Sequence, residues 1–328
     1  MKRYLTAGLI ATLISIALGY LIIPLLKKFK FNQSILGYVE NHKNKSGTPT
    51  MGGIFFIIAI VLTFFIFKKG FSKISTMALT ISLGFFTIGF LDDFIKIKFK
   101  RNLGLTPMQK TFFMLIVAIV ASVFSYRQGL DFVYLPFFNK TVFLGFFSII
   151  LNILVFIATV NGVNLTDGLD GLCSSVSVIV FLSFAFIINL QTTLNAEVYF
   201  AVEEYENLTL LSVVFVGALL GYLLFNVNKA TVFMGDTGSL AIGGAISSIA
   251  IFSGNTLYLP FIGITFVVSV LSVIIQVLYY KKTKNRVFKM APYHHHLQLI
   301  GKTEWQISYA YTLITVIISV FLIIFIMR

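Results

Sequence analysis

Paired acids, glycine-bracketed acids and a run of three histidines are the residues of this chain whose types and spacing could do chemistry. Asp92 and Asp93 are adjacent and are followed by Lys96, Lys98, Lys100 and Arg101. Neighbouring carboxylates repel, and one of them holds its proton unless a cation shares the site. The pair therefore reads as a base or metal-facing acid rather than a solvated helix end. Successive helical residues point about 100° apart, so the two acids take different roles. Asn164, Asp167 and Asp170 recur at i, i+3 and i+6 and line one helix face. Gly162, Gly168 and Gly171 between them let backbone approach a ligand closely. Asp236 sits between Gly235 and Gly238 in Phe233-Met-Gly-Asp-Thr-Gly-Ser239. Such an acid suits a hard cation such as Mg²⁺, which takes one or two carboxylates plus substrate phosphates. Phe233 offers a flat face on which a base can stack.

His294, His295 and His296 invite a zinc reading, but consecutive helical residues fan over about 200° and cannot all reach one ion. Zinc signatures space their histidines three to five residues apart. A phosphate-binding or proton-transfer role fits better. Pro292 and Gly301 bracket a short helix over 292–300, whose N-terminus would aim N–H groups and imidazoles at an anion. Gly301-Lys302-Thr303 is no P-loop, because His296 occupies the leading glycine position and no strand precedes it.

The elements that must hold these residues are membrane helices. The 328 residues are 58% hydrophobic and only 11% charged, with a mean hydropathy of +0.94. Soluble domains are about 25% charged, so soluble enzymes, disordered scaffolds and coiled coils are excluded. Cys173 stands alone and can form no intrachain disulfide. Ten apolar stretches are near the roughly 20 residues that cross a bilayer: 4–26, 51–67, 75–95, 107–126, 142–160, 172–190, 208–226, 238–254, 257–279 and 307–327. The second is short and the eighth is interrupted by Gly243 and Gly244. The first lacks an Ala-x-Ala site and reads as an uncleaved anchor. The fold class expected is an all-α polytopic membrane protein forming a single domain over 1–328.

The connections after spans 1, 3, 5, 7 and 9 carry 17 of the Lys and Arg residues, and the other side carries 8. The positive-inside rule puts the richer side in the cytoplasm and both termini outside. The net charge of +13 then serves lipid headgroups and anionic substrates, and nucleic acid is not expected as a partner. The strings around Thr50, Asp92, Asp167, Asp236 and His295 all fall on that inner face, so five cytoplasmic loops converge on one cleft. On the outer side, residues 130–143 alternate around Pro136 and Asn139 as a small β-hairpin. Glu197, Glu203, Glu204 and Glu206 crowd one outer loop, where solvation accounts for them.

Together these strings carry a resemblance. Gly47-Thr-Pro-Thr-Met-Gly-Gly53, Leu91-Asp-Asp93, Val163-Asn-Leu-Thr-Asp-Gly-Leu-Asp-Gly171, Phe233-Met-Gly-Asp-Thr-Gly-Ser239 and Ala291-Pro-Tyr-His-His-His296 resemble the phospho-N-acetylmuramoyl-pentapeptide transferases of peptidoglycan synthesis, from the first span to the last. The three histidines separate that family from transferases of other N-acetylhexosamine phosphates. Leu297-Gln298 departs from it, standing where the family shows an aromatic and a glutamate.

The resemblance implies ten spans with both ends outside, an inner-membrane location and a homodimer. It also implies Mg²⁺-dependent transfer of phospho-MurNAc-pentapeptide from UDP to undecaprenyl phosphate, giving lipid I and UMP. Matched string by string, it makes Asp236 the Mg²⁺ ligand, Asp92 the base on the lipid phosphate and Asp93 its neighbour in arranging metal and phosphate. It makes His295 the active histidine, with His294 and His296 beside it. Lys45, Asn226 and Phe233 fall to the nucleotide, Thr50 to substrate binding, Gly168, Leu169 and Asp170 to the uracil pocket, and Asn164 and Asp167 to the central cleft. Lys96 and Lys110 become phosphate partners, and Gln276 and Ala291 lie toward the sugar–peptide end. A deprotonated, positioned phosphate monoester is already a competent nucleophile, which favours direct attack over a covalent intermediate. The rival readings are a UDP-GlcNAc transferase and a transporter; transporter sites sit at the bilayer midplane, whereas these acids end spans.

Overall fold

The computed structural model describes residues 1–29, 47–99, 103–138, 140–193, 201–227 and 229–327. Its helices are α1 (Lys2–Lys28), α2 (Gly53–Phe67), α3 (Lys73–Lys98), α4 (Pro107–Arg127), α5 (Phe147–Thr166), α6 (Leu172–Thr193), α7 (Val202–Asn226), α8 (Gly235–Phe252), α9 (Leu259–Ile262), α10 (Ile264–Thr283), α11 (Tyr293–Leu299) and α12 (Glu304–Ile326). Among the described residues, nine of them are long and apolar enough to cross a bilayer. Helix is the form such segments take, because a backbone in hydrocarbon must satisfy its own N–H and C=O groups. The remaining apolar helix, α2, has 15 residues and rises about 22 Å, short of the roughly 30 Å hydrocarbon core.

Helix α8 is the axis of the bundle: 89% of its apolar window is buried, against 22% for α10 and α12. Small residues let its neighbours close on it, as in many membrane interfaces. A Cβ on Gly243 would stand 2.6 Å from the Val160 Cα, and one on Gly244 would meet the Phe85 ring. The Ser82 hydroxyl donates to the Ala241 carbonyl across the same seam at 2.8 Å. Gly243 and Gly244 therefore do not interrupt α8, as the sequence had implied; the helix runs unbroken, and the glycines are where α5 and α3 press against it.

Three span ends also move. Helix α5 starts at Phe147 rather than 142, because Lys140–Phe143 is strand β2, antiparallel to β1 (Phe132–Leu135) with Phe132 opposite Phe143. The expected hairpin is present, tied to the loop after α8 by Tyr134 N–H donating to Gly254 at 2.9 Å; Asn139 lies outside the described residues. Helix α7 begins at Val202 and takes in Glu203, Glu204 and Glu206. Helix α10 begins at Ile264, after a 3-10 turn (Thr256–Tyr258) and α9.

The acids at the start of α7 are more than solvated residues. Glu204 accepts from the Lys73 and Ile74 N–H groups at 2.8 and 3.2 Å and from the Ser72 hydroxyl, closing the open N-terminus of α3. Glu206 pairs with Lys69 at 2.9 Å and Arg3 at 3.5 Å. Glu197 lies outside the described residues. This end, where α1, α3 and α7 begin, is opposite the end of α3 that carries Asp92 and Asp93.

Candidate active site

At the other end of the bundle, α3 delivers Asp92 and Asp93, α4 delivers Lys110, α5 delivers Asn164 and α8 delivers Asp236. Oxygens of Asp92, Asp93 and Asp236 all lie within 4.8 Å of one another. The Lys96 ammonium stands among them, 2.6 Å from Asp92, 3.4 Å from Asp93 and 3.0 Å from Asp236. Lys110 reaches the same Asp236 oxygen at 2.9 Å. The other Asp236 oxygen accepts from the Asn164 amide at 2.7 Å, and Asn164 also meets the Ser239 hydroxyl at 2.9 Å. Three carboxylates against two ammonium groups leave a formal charge of −1 in a partly buried cluster.

The two adjacent acids do differ. Asp92 accepts the Leu105 N–H at 2.8 Å, so the loop entering α4 fixes one of its oxygens. Asp93 accepts the Thr237 N–H at 2.9 Å and the Thr237 hydroxyl at 2.7 Å. Gly235, at φ 69°, turns the chain into α8 directly over this pair. A side chain there would be strained in the left-handed region and would stand 2.7 Å from the buried Thr50 hydroxyl. Thr50 is held by a clamp of main-chain bonds: Phe233 N–H donates to Pro49 at 2.8 Å, Gly52 N–H to Phe233 at 2.8 Å and Gly53 N–H to Met234 at 3.1 Å. The Gly47–Gly53 and Phe233–Ser239 strings thus form one unit, with Phe233 half-buried at its edge.

The turn after α5 brings the next group. Asp167 is partly buried, and its carboxylate has no hydrogen bond or ion pair among the described residues. Burial, then the charges of Asp236, Asp93 and Asp170, push its carboxyl well above the usual range. Asp170 accepts the Ala230 N–H at 3.0 Å, while its own N–H donates to Glu304 at 3.0 Å. Leu169 is buried beneath the turn. Asn226 accepts from the Gly171 N–H at 3.1 Å and the Ser174 hydroxyl at 3.2 Å and donates to Val232 at 3.0 Å. Its amide is committed to joining α6, α7 and the strand of chain before α8, so it shapes the pocket wall.

Gly168 is where the histidines enter. A Cβ there would meet His294 Nε2 at 2.5 Å and His295 Nε2 at 2.9 Å. His294 and His295 stay together, their ring centroids 4.3 Å apart, and His296 makes its contacts elsewhere. His296 Nδ1 accepts the Lys289 N–H at 3.1 Å, and its ring stacks on Tyr293, away from Gly168. His295 is partly exposed and lies 3.4 Å from Gln298. His294 is fully buried against Tyr311, and neither of its ring nitrogens has a partner among the described residues. Burial and the neighbouring His295 push its pKa down to about 3, so it is neutral at physiological pH. The first N–H of α11, on Tyr293, donates to Ser272 at 3.0 Å.

Gln276 on α10 accepts the Phe288 N–H at 2.9 Å and shares an open cavity with Ala291. Lys45 lies outside the described residues. Sequence reasoning did not single out Thr237, Ser239, Glu304 or the backbone of Leu105, each of which holds a predicted residue in place. Thr237 and Ser239 lay inside the string around Asp236; Glu304 had no such signal, being an acid at a helix start.

The model for glycosyl transferase family 4 matches residues 75–254, more than half the chain. The phospho-N-acetylmuramoyl-pentapeptide-transferase signature 1 matches residues 45–57, around Thr50. The chain is 42% identical over 304 residues to the phospho-N-acetylmuramoyl-pentapeptide-transferase of Bacillus subtilis (strain 168), covering 91% of this chain and 90% of the relative. It is 43% identical over 318 residues to that of Thermoanaerobacter sp. (strain X514), covering 97% and 96%. Against the Bacillus cytotoxicus enzyme the identity is 45% over 307 residues, covering 92% and 91%. With the acids, lysines and histidines of its strings gathered at one end of the bundle, the chain belongs to the phospho-N-acetylmuramoyl-pentapeptide-transferase family.

Proposed function

We propose that this protein transfers phospho-MurNAc-pentapeptide from UDP-MurNAc-pentapeptide to undecaprenyl phosphate, giving lipid I and UMP. The observation that carries this reading is the meeting of Asp92, Asp93 and Asp236 around Lys96 and Lys110 at the ends of three helices. Two anionic phosphates must approach each other, and one arrives from lipid. A charged cluster at the rim of a helical bundle suits that meeting.

The donor set fits Mg²⁺: three carboxylates within reach of one another, oxygen ligands only, with the Lys96 ammonium as the positive charge among them. Asp236 would be the principal ligand, with Asp93 beside it. Bound there, Mg²⁺ would screen the phosphates and polarise the phosphorus under attack. Asp92 takes the proton of the lipid phosphate, and its Leu105 N–H bond keeps the carboxylate aimed. The freed phosphate oxygen attacks the phosphorus that bears the sugar. A new P–O bond forms, the bond to the bridging oxygen breaks, and that oxygen leaves with its electron pair on UMP. Lys96 and Lys110 follow the charge onto the phosphate oxygens. Direct attack needs no further nucleophile. Thr50, Phe233, Gly168, Leu169, Asp170 and Asn226 form the nucleotide side of the cleft, and His295 faces the phosphates; Lys45, outside the described residues, is a further nucleotide ligand in this proposal.

The charge distribution supports ten crossings, counting α2, with both termini outside and this end in the cytoplasm of the inner membrane. A homodimer through lipid-facing helices completes the proposal. Release of UMP by purified protein, with and without undecaprenyl phosphate and Mg²⁺, tests the reaction. Equal turnover with UDP-GlcNAc would displace this reading in favour of a related transferase, and cysteine labelling that put positions 92 and 236 on opposite sides of the membrane would end it.

A further inference from the structure

Six phenylalanines and one tyrosine fall within residues 132–147, the hairpin and the entry to α5, and no tryptophan is among them. One side of the hairpin is fixed to the end of the bundle that lies opposite the acid cluster. Phe132 and Val133 of β1 are buried there, and a Cβ on Gly254 would meet the Phe132 ring. Leu144 N–H closes the base of the hairpin by donating to Asp131 at 2.7 Å. Past β1, the Phe137 ring meets Phe261 of α9 and Phe325 in the last turn of α12, with centroids 5.5 and 5.0 Å apart. The hairpin therefore lies along the rim of the bundle instead of standing off it.

Four other rings turn outward: Phe138, Phe143, Phe146 and Phe147 are 71, 59, 64 and 72% exposed. Along α5, Phe147, Ile150 and Leu154 recur at i, i+3 and i+7, one helix face, and all three are exposed. That face belongs to an apolar span and is turned to lipid. The exposed surface is thus continuous from the lipid side of α5 up over the hairpin. An apolar patch of this extent marks a membrane or protein contact. Tryptophan and tyrosine settle at headgroup level because they have a polar tip, whereas phenylalanine has none and gains most when immersed in acyl chains. Arg127 at the end of α4 and Lys140 at the start of β2 are exposed and flank the patch in the chain, with Asp131 the only acid between them. Such cations suit headgroup phosphates.

We propose that the hairpin is a monotopic membrane anchor, with Phe138, Phe143 and Phe146 immersed in the leaflet opposite the acid cluster. The anchor sets the height of α5, which runs from Phe147 to Asn164 of the site over about 26 Å. It follows from the spans and is independent of the reaction.

Trp305 is the one tryptophan of the chain and sits at the other end of the bundle, in the first turn of α12. Trp305→Phe/Phe138→Trp and Trp305→Phe/Phe143→Trp therefore each carry a single reporter, on the hairpin. In phosphatidylcholine nanodiscs, acyl chains brominated near the headgroup should remove about half of the emission of either variant, and aqueous iodide should quench it about threefold less than free tryptophan amide. Full iodide access in both variants, with no loss to brominated lipid, would place the hairpin in water and overturn the proposal. Shielding from both quenchers would give the surface to protein. If discs holding a single copy then restored iodide access, the occupant would be a second copy of the chain. If they did not, the rings would be packed against their own bundle. Either result overturns the anchor.

Discussion

One oxygen of Asp93 accepts both the backbone N–H and the hydroxyl of Thr237, at 2.9 and 2.7 Å, across 144 residues of sequence. The last turns of α3 are thereby fastened to the first turn of α8, and the separation of Asp92 and Asp236 is set by this joint. Hydrogen bonds to charged groups contribute about 1.5–3 kcal/mol. Thr237→Val keeps the volume and the backbone N–H but loses the hydroxyl, so kcat should fall about tenfold or more, with a weaker Mg²⁺ dependence. Thr237→Ser should retain most activity. Equal loss in the two variants would show that the methyl packing, and not the hydroxyl, matters.

Asp236 receives two ammonium groups and one amide, so Asp236→Asn changes more than one contact. It removes the proposed ligand and turns the cluster's formal charge from −1 to neutral. Transfer should fall by about a hundred- to a thousandfold, the range of losses seen when one stabilising group is taken from a preorganised site. Titration of the residual activity with Mg²⁺ checks the cause: saturation at the wild-type concentration would remove Asp236 from the metal site.

The acids of this site were legible in the sequence because their residue types are costly near lipid and the glycines beside them are otherwise unexplained. The ends of Asp92-Asp93, Asn164-to-Asp170 and Asp236 could be placed on one side from the alternation of spans alone. Pairing was not legible. Hydrophobic periodicity tells which face of a helix is buried but not against which partner, so Thr237 meeting Asp93, and Glu304 meeting the Asp170 N–H, had no advance signal. The same limit explains Gly243 and Gly244, whose type suggested a break and whose neighbours made them a packing seam. It also explains His296, whose ring stacks on Tyr293 away from Gly168.

The histidines separate by environment. His295 is partly exposed beside Gly168, whereas His294 is buried with its pKa pushed down to about 3. His295→Ala should cost more activity than His294→Ala, and the reverse order would exchange their roles. His294 also makes a stability prediction. Its folded pKa lies below the unfolded 6.5, so the unfolded chain gains a proton first as the pH falls. The stabilisation is complete above about pH 6.5 and declines toward pH 3, by about 2 kcal/mol at pH 5. His294→Gln should flatten that part of the curve of Tm against pH in detergent; a parallel shift of the whole curve would exclude His294 as its source.

Asp167 has no partner for its carboxylate among the described residues, and Asp236, Asp93 and Asp170 all act to keep it protonated. A carboxyl whose folded pKa is raised above 3.8 is a burden on the folded state once the pH exceeds that value. Asp167→Asn keeps the shape and removes the charge, so at neutral pH it should stabilise the protein by about 1 kcal/mol, or roughly 2–4 °C in Tm. The gain should grow as the pH rises from 4 and disappear near pH 4, where the acid is protonated in both states. Activity should move the other way, because an unpartnered acid in the cleft is kept for a substrate group that arrives later. The two measurements bear on separate points: a variant both more stable and fully active would leave Asp167 without a part in binding, and a variant with unchanged Tm at pH 8 would show that a bound cation already balances it.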